Sequence, residues 1–276
     1  MKIQKIHAFY FSPTGTTRTI VSYLAKSIAA LCTGIPLETW DFTLPAGRKG
    51  IPEIRTAELV IVGLPVYAGR LPNLLLEYLS VWKSDGALAV PVVVYGNRSF
   101  DNALIELRDI LENAGFHTIA AAAFVGQHAF SDRLAPGRPD CDDLELAGQF
   151  AAGIVRRAES KKQGEAWSPV EVPGVGAPAY GGYYKPRGED GGVVNFLKVK
   201  PVTTDACVDC KRCAEVCPMG AINFERPSGV SGICIKCNAC VGCCPAGAKR
   251  LTDEAYLSHV RFLEKCYTSR AEVRLF

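Results

Sequence analysis

No stretch of about 18 consecutive apolar residues occurs in the 276-residue sequence, so no segment has the make-up of a membrane-spanning helix. The opening MKIQKIHAFYF runs into a strand pattern and has no charged n-region, apolar core and cleavage site, so the chain is expected to be cytoplasmic. Charge of one sign is also scarce. The formal net charge is +3, and residues 200–276 hold 11 Lys/Arg against 8 Asp/Glu, too small an excess for a nucleic-acid surface. A Gly-Lys-Ser/Thr phosphate loop is missing, which argues against a nucleoside triphosphate. The first loop has a single glycine, which argues against the three-glycine dinucleotide fingerprint. The length allows one large or two ordinary domains, each able to bury a core.

Cysteine, by contrast, is abundant, with twelve in the chain. Eight fall into two copies of one pattern, Cys207-x-x-Cys210-x-x-Cys213-x-x-x-Cys217-Pro218 and Cys234-x-x-Cys237-x-x-Cys240-x-x-x-Cys244-Pro245. Three closely spaced thiolates cap one face of an iron-sulfur cube, and the fourth, carried away by the proline, ligates the other cube. Two crossed [4Fe-4S] clusters are expected: Cys207, Cys210, Cys213 and Cys244 for cluster 1, and Cys234, Cys237, Cys240 and Cys217 for cluster 2. The copies repeat at 27 residues, and Pro218-Met219-Gly220-Ala221 mirrors Pro245-Ala246-Gly247-Ala248, which implies a pseudo-twofold small domain. Structural zinc sites use two Cys-x-x-Cys hooks separated by a longer loop, a poorer match to a doubled triple spacing. Cys244 is preferred over its neighbour Cys243 because it keeps the three-residue gap and the proline. Cys32, Cys141 and Cys266 have no partner spacing and read as free thiols. Ligand-spaced thiols fit a reducing interior, and oxygen-sensitive clusters fit an anaerobic setting.

The amino-terminal half reads as alternating strands and helices. Residues 3–11 are mostly apolar, Ser12-Pro13-Thr14-Gly15-Thr16-Thr17 break the run, and Ile20, Val21, Leu24, Ile28 and Leu31 recur at helical spacing. A glycine-containing, hydroxyl-rich loop at a helix N-terminus cradles a phosphate dianion, although Ser/Thr caps also begin ordinary helices. Strands are expected at 35–42, 58–64, 87–95 and 118–125, and helices at 72–83, 101–114 and 142–160. The Pro45/Pro52 stretch 43–56 predicts a short or irregular crossover. The fold class that follows is α/β, a doubly wound parallel five-stranded sheet, with a second small α+β two-cluster domain. Ligands of such sheets sit beyond the carboxyl ends of the strands, where loops 12–17, 65–72 and 96–102 converge.

Those three loops resemble a flavodoxin, and the chain as a whole is similar to the flavodoxin/ferredoxin fusion proteins of anaerobes, which share a Gly-Arg-Pro-Asp stretch like 137–140. Ala129 stands where those proteins carry a serine. The resemblance implies FMN, with Ser12, Thr14, Gly15, Thr16 and Thr17 at the phosphate. It places Pro65, Val66, Tyr67, Ala68 and Gly69, with Gly96, Asn97, Arg98 and Phe100, around the ring. Tyr67 and Phe100 are the stacking candidates, each with packing as its alternative, and Ala68-Gly69 is the peptide most like the one that flips on flavin reduction. Arg70 and Arg98 depart from the acidic ring loops of many flavodoxins; pointing inward they would raise the flavin potential, and otherwise they sit in solvent. His128 and Phe130 lie in a long loop on the ligand side, His128 either meeting the flavin or serving a structural role.

Residues 161–204 carry eight glycines and five prolines without a sustained period, yet include Trp167, Tyr180, Tyr183, Tyr184 and Phe196. They are expected to form a strap across the flavin domain. Residues 253–266 form an amphipathic helix expected to cap the small domain. The domains are therefore 1–160 flavodoxin-like, 161–204 connector, 205–252 two-cluster ferredoxin, and 253–276 helix and tail. Two functions are consistent with this: an electron carrier that docks with a partner oxidoreductase, or an FMN-dependent reductase of a small quinone-like or NAD(P)H-linked substrate refilled through the clusters. No catalytic residue is assigned, no nucleic acid or membrane span is expected, and homodimer formation stays open.

Overall fold

The computed structural model describes residues 2–161 and 165–276. The first half runs β1 (Lys5–Tyr10), α1 (Thr16–Leu31), β2 (Leu37–Asp41), β3 (Glu58–Pro65), α2 (Leu76–Ser80), β4 (Leu88–Tyr95), α3 (Ala103–Asn113), β5 (His117–Thr118), β6 (Ala122–Val125) and α4 (Cys141–Ser160). Strands β1 to β6 pair in parallel in the order β2-β1-β3-β4-β6, with β5 also on β4. That is the 2-1-3-4-5 order of flavodoxin-like sheets, with β5 and β6 as two pieces of the fifth strand. Both faces are covered, so β3 and β4 can be apolar almost throughout. Ile20, Leu24 and Ile28 of α1 and Ala151 and Ile154 of α4 pack on one face. Leu104, Leu107 and Leu111 of α3 and Leu79 of α2 pack on the other.

Three expectations need correction. Helix 72–83 shrinks to α2 behind a 3-10 turn at Asn73–Leu75, because Trp82 turns into the core instead of continuing the helix, meeting Phe9, Phe42 and Tyr78 edge-on. The fifth strand breaks at 119–121, and the sheet exceeds five strands because the C-terminal tail adds one. The third correction concerns the terminal helix, described next.

The second half continues with β7 (Val202–Thr203), α5 (Arg212–Glu215), α6 (Ala239–Gly242), β8 (Lys249–Arg250), α7 (Glu254–Cys266) and β9 (Arg274–Leu275). Strand β9 runs antiparallel to β6 on the large sheet. Helix α7 starts on Asp253, whose carboxylate accepts the Tyr256 N–H. Instead of capping the small domain alone it is wedged between the halves, because Tyr256, one of its three buried residues, finds partners on both, with Asn238 Nδ2 donating to its hydroxyl at 2.9 Å. Tyr256 packs on Phe130 at 5.0 Å and Phe196 at 5.6 Å. Ser131 Oγ also donates to Glu264 at 2.6 Å. Among the described residues, no helix is long and apolar enough to cross a membrane.

Candidate redox site

The cysteine-rich half repeats its backbone as well as its sequence. Asp209, Lys211 and Gly220 have φ of 51°, 64° and 59°; Lys236, Asn238 and Gly247, each 27 residues on, have 57°, 59° and 58°. These left-handed residues bend each chain run around its cysteines. The backbone N–H of Ala221 reaches Cys217 Sγ at 3.2 Å, and that of Ala248 reaches Cys244 Sγ at the same distance.

Two hollows result. Cys217, Cys234, Cys237 and Cys240 line one; Cys207, Cys210, Cys213 and Cys244 line the other. Each set takes three cysteines from one run and the last from the other, while Cys243 lines neither. Among the described residues, no group of three or more His, Cys, Asp or Glu side chains stands ready to hold a single metal ion. Four sulfur donors around a hollow, with N–H groups aimed at sulfur, fit an iron-sulfur cube. Burial pushes the Cys237 and Cys240 thiols up to about 12, so they would ionise only against a cation. Backbone N–H groups, that of Lys249 first, pull Cys244 below its ordinary value.

The inner hollow lies against the carboxyl end of the large sheet. Arg48 ties Phe42 O and Thr43 O to Pro218 O at 2.9, 2.7 and 2.5 Å. Asn238 Nδ2 donates to Ala129 O at 2.8 Å, and Ile235 packs on the sheet's core. Tyr67 keeps part of its surface accessible, yet burial, then the nearby Cys237 and Cys234, raises its hydroxyl pKa well above the ordinary value. A side chain surrounded by protein yet partly accessible faces a crevice in the surface. His128 has the same character: partly accessible, with burial, then His259 and Arg98, lowering its pKa to about 4. The His128 ring lies on Gly96, where a Cβ would come within 2.3 Å of it.

The first loop opens toward this end of the sheet. Gly15, at φ 91°, turns the chain into α1, Thr43 Oγ1 accepts the Ser12 N–H at 2.9 Å, and Ser12 Oγ accepts the Arg18 N–H at 2.9 Å. Backbone N–H groups of Thr14, Thr16 and Thr17 find no acceptor among the described residues. Asn238 Oδ1 is likewise buried without a donor at the junction of the halves. An open helix N-terminus fits a phosphate group, as FMN carries.

The ring loops are held by distant parts of the chain. Ala68 and Gly69 form a tight turn at φ 48° and 76°, with Ala68 O accepting from Tyr184 N at 2.8 Å and Gly69 O from Asn102 N at 3.0 Å. Flipping the Ala68–Gly69 peptide would break its bond to the strap at Tyr184. Asn97 spends its amide on the C-terminal tail, donating to Tyr267 O and Ser269 O and accepting from Ala271 N. Phe100 packs on Tyr95 at 5.6 Å. Neither arginine is a solvated loop tip. Arg70 is buried, paired with Glu106 through Nε at 2.8 Å and Nη2 at 2.5 Å, and lies between Tyr180 and Tyr183. Arg98 pairs with Asp101 and lies 3.9 Å from the Tyr184 ring centre. Pro65 and Val66 lead from β3 into the Tyr67 turn, Val66 N donating to Val94 O at 2.9 Å.

The strap runs along these loops. Asn102 Nδ2 donates to Tyr180 O at 2.7 Å, Tyr183 hydroxyl to Leu71 O at 3.1 Å, and Val170 N to Thr118 O at 3.0 Å. Sequence reasoning missed the tail's grip on Asn97 and on Arg138, a buried partner of Asp143 that donates to Ala271 O at 2.6 Å. Only the abundance of aromatics and arginines in the strap and loops hinted at it.

Residues 200–223 match the family described as 4Fe-4S binding domain. Nothing among curated proteins matches the chain. Among solved structures, a flavodoxin of Streptococcus pneumoniae is 16% identical, covering 55% of this chain and 98% of its own, at TM-score 0.41. Flavodoxin 2 of Bacillus cereus is 18% identical, covering 55% and 99%, at TM-score 0.39. An NADH:FMN oxidoreductase in its apo form is 18% identical, covering 58% and 92%, at TM-score 0.42. The chain's own strand order makes the first half flavodoxin-like in fold, and the half that follows contains, at residues 200–223, a match to a 4Fe-4S binding domain.

Proposed function

We propose that the protein is a cytoplasmic electron carrier of an anaerobic cell, with FMN in the crevice and a [4Fe-4S] cluster in each hollow, trading single electrons with a partner oxidoreductase. The observation that carries this reading is the contact of the cysteine-rich half with the loop end of the sheet, Arg48 donating to Pro218 O and Asn238 to Ala129 O, with Cys237 and Cys234 near Tyr67. When bound, FMN exchanges one or two electrons and each cluster one. Thr14, Thr16 and Thr17 would hold the phosphate through their backbone N–H groups, with Ser12 and Gly15 shaping the loop. Pro65, Val66, Tyr67, Gly96 and His128 would wall the ring, while Asn97, Arg98 and Phe100 hold the tail, the strap and the core around it. The two cysteine sets would carry the clusters in the crossed arrangement.

Carrier is preferred to reductase because the crevice is poor in proton donors. Burial lowers the basicity of His128 and raises the Tyr67 pKa, so neither is tuned to act as an acid near neutrality. Anaerobic purification with flavin, iron and sulfide quantified tests the reading. One FMN and about eight irons per chain are expected. Full iron loading without FMN retention contradicts the flavin assignment.

A further inference from the structure

The two hollows differ in what covers them. Cys207 and Cys210 are exposed, within an unbroken exposed run from Asp205 to Cys210, and Val208 between them is 66% exposed. In the other hollow Cys237 and Cys240 are buried and Cys217 and Cys234 half-buried. The bonds through Arg48 and Asn238 press that inner hollow against the large sheet, beside Tyr67. One internal repeat has thus produced an outward-facing and an inward-facing site.

We propose that the edge formed by Cys207, Val208 and Cys210 is the port at which a partner protein docks and exchanges electrons, and that the hollow beside Tyr67 is the inward relay. This rests on the two-cluster reading above. The partner is a protein presenting its own one-electron centre at its surface. Hydride carriers deliver two electrons together to an open ring face, whereas a thiolate-held cluster accepts one. The rim mixes Asp205 and Asp209 with Lys211 and Arg212 around the apolar Val208, which suits a small protein contact rather than a steering field of one sign. In each encounter the partner's centre loses one electron as the port site gains one, or the reverse, and no bond is made or broken.

The test uses full-length protein loaded anaerobically, compared with the Cys207→Ser/Cys210→Ser and Cys234→Ser/Cys237→Ser double variants. Iron is counted, clusters are followed by EPR, and reduced protein is mixed with ferric cytochrome c as a protein-sized acceptor. Wild type should hold about eight irons. The variant lacking the inner cysteines should hold about four irons and pass electrons to cytochrome c faster than the variant lacking the outer cysteines. The variant lacking the outer cysteines should keep its remaining EPR signal yet react slower by an order of magnitude or more. An outer variant as fast as wild type overturns the port. Should either variant shed all its iron, wild type decides: a diffusing gadolinium chelate should speed relaxation of one cluster signal and spare the other, and an equal effect on both overturns the proposal. Wild type with only about four irons removes the two-cluster reading and this inference with it, a failure the iron count separates from a misplaced port.

Discussion

The cysteine-rich half and the loop face of the sheet are built on opposite terms. In the first, each feature is local: a cysteine spacing, a left-handed residue, an N–H on sulfur, all repeated 27 residues later. In the second, the loops are fixed from far along the chain. Asn97 is held by residues 267–271, Ala68 by Tyr184, and Arg70 by Glu106 beneath Tyr180 and Tyr183. A site coded by spacing tolerates its surroundings; one coded by loops takes the roles that distant packing leaves it.

Four changes would break or sharpen that contrast. Cys240→Ser should have the largest effect, removing about half of the iron and destabilising the surrounding half, whose buried apolar cluster is small; iron analysis and near-UV circular dichroism report it. Glu106→Ala leaves the buried Arg70 charge unpaired, at a cost of about 3–5 kcal/mol in urea denaturation, with faster proteolysis of the strap.

The third change is a pH effect. His128 has a folded pKa lowered to about 4 against an ordinary 6.5, so the unfolded chain takes up its proton first on acidification. Its stabilisation is complete above pH 6.5 and is lost as pH falls through about 4, amounting to about 3 kcal/mol. His128→Gln should flatten the pH dependence of denaturation in that window, and an unchanged slope would place the histidine in a wetter site than the one described. Asn97→Ala should have the smallest effect, about 1–3 kcal/mol, with faster hydrogen exchange at Ala271 and along β9.

Much of this architecture was legible in the residues. Apolar runs at 58–64 and 87–95 marked β3 and β4, helical periodicity at 20–31 marked α1, and the eight cysteines that line the two hollows stand out by their spacing. What stayed hidden depended on partners distant in sequence. The periodicity of α7 marks an apolar face without saying whether Phe130 or the small domain covers it. Arg70 and Arg98 look like solvent-facing loop tips until the strap's tyrosines cover them. Two residues at 274–275 are too short a run to announce an added strand.

The central claim is that the inner thiol hollow and the crevice adjoin through Tyr67, so that the two halves form one redox unit. Adding FMN anaerobically to iron-loaded, flavin-free protein while recording the cluster EPR spectrum tests it most directly. One FMN should bind per chain and alter one cluster signal while leaving the other in place, with the response weakened in Tyr67→Leu. FMN that fails to bind, or binds with both cluster signals unmoved, would contradict the account.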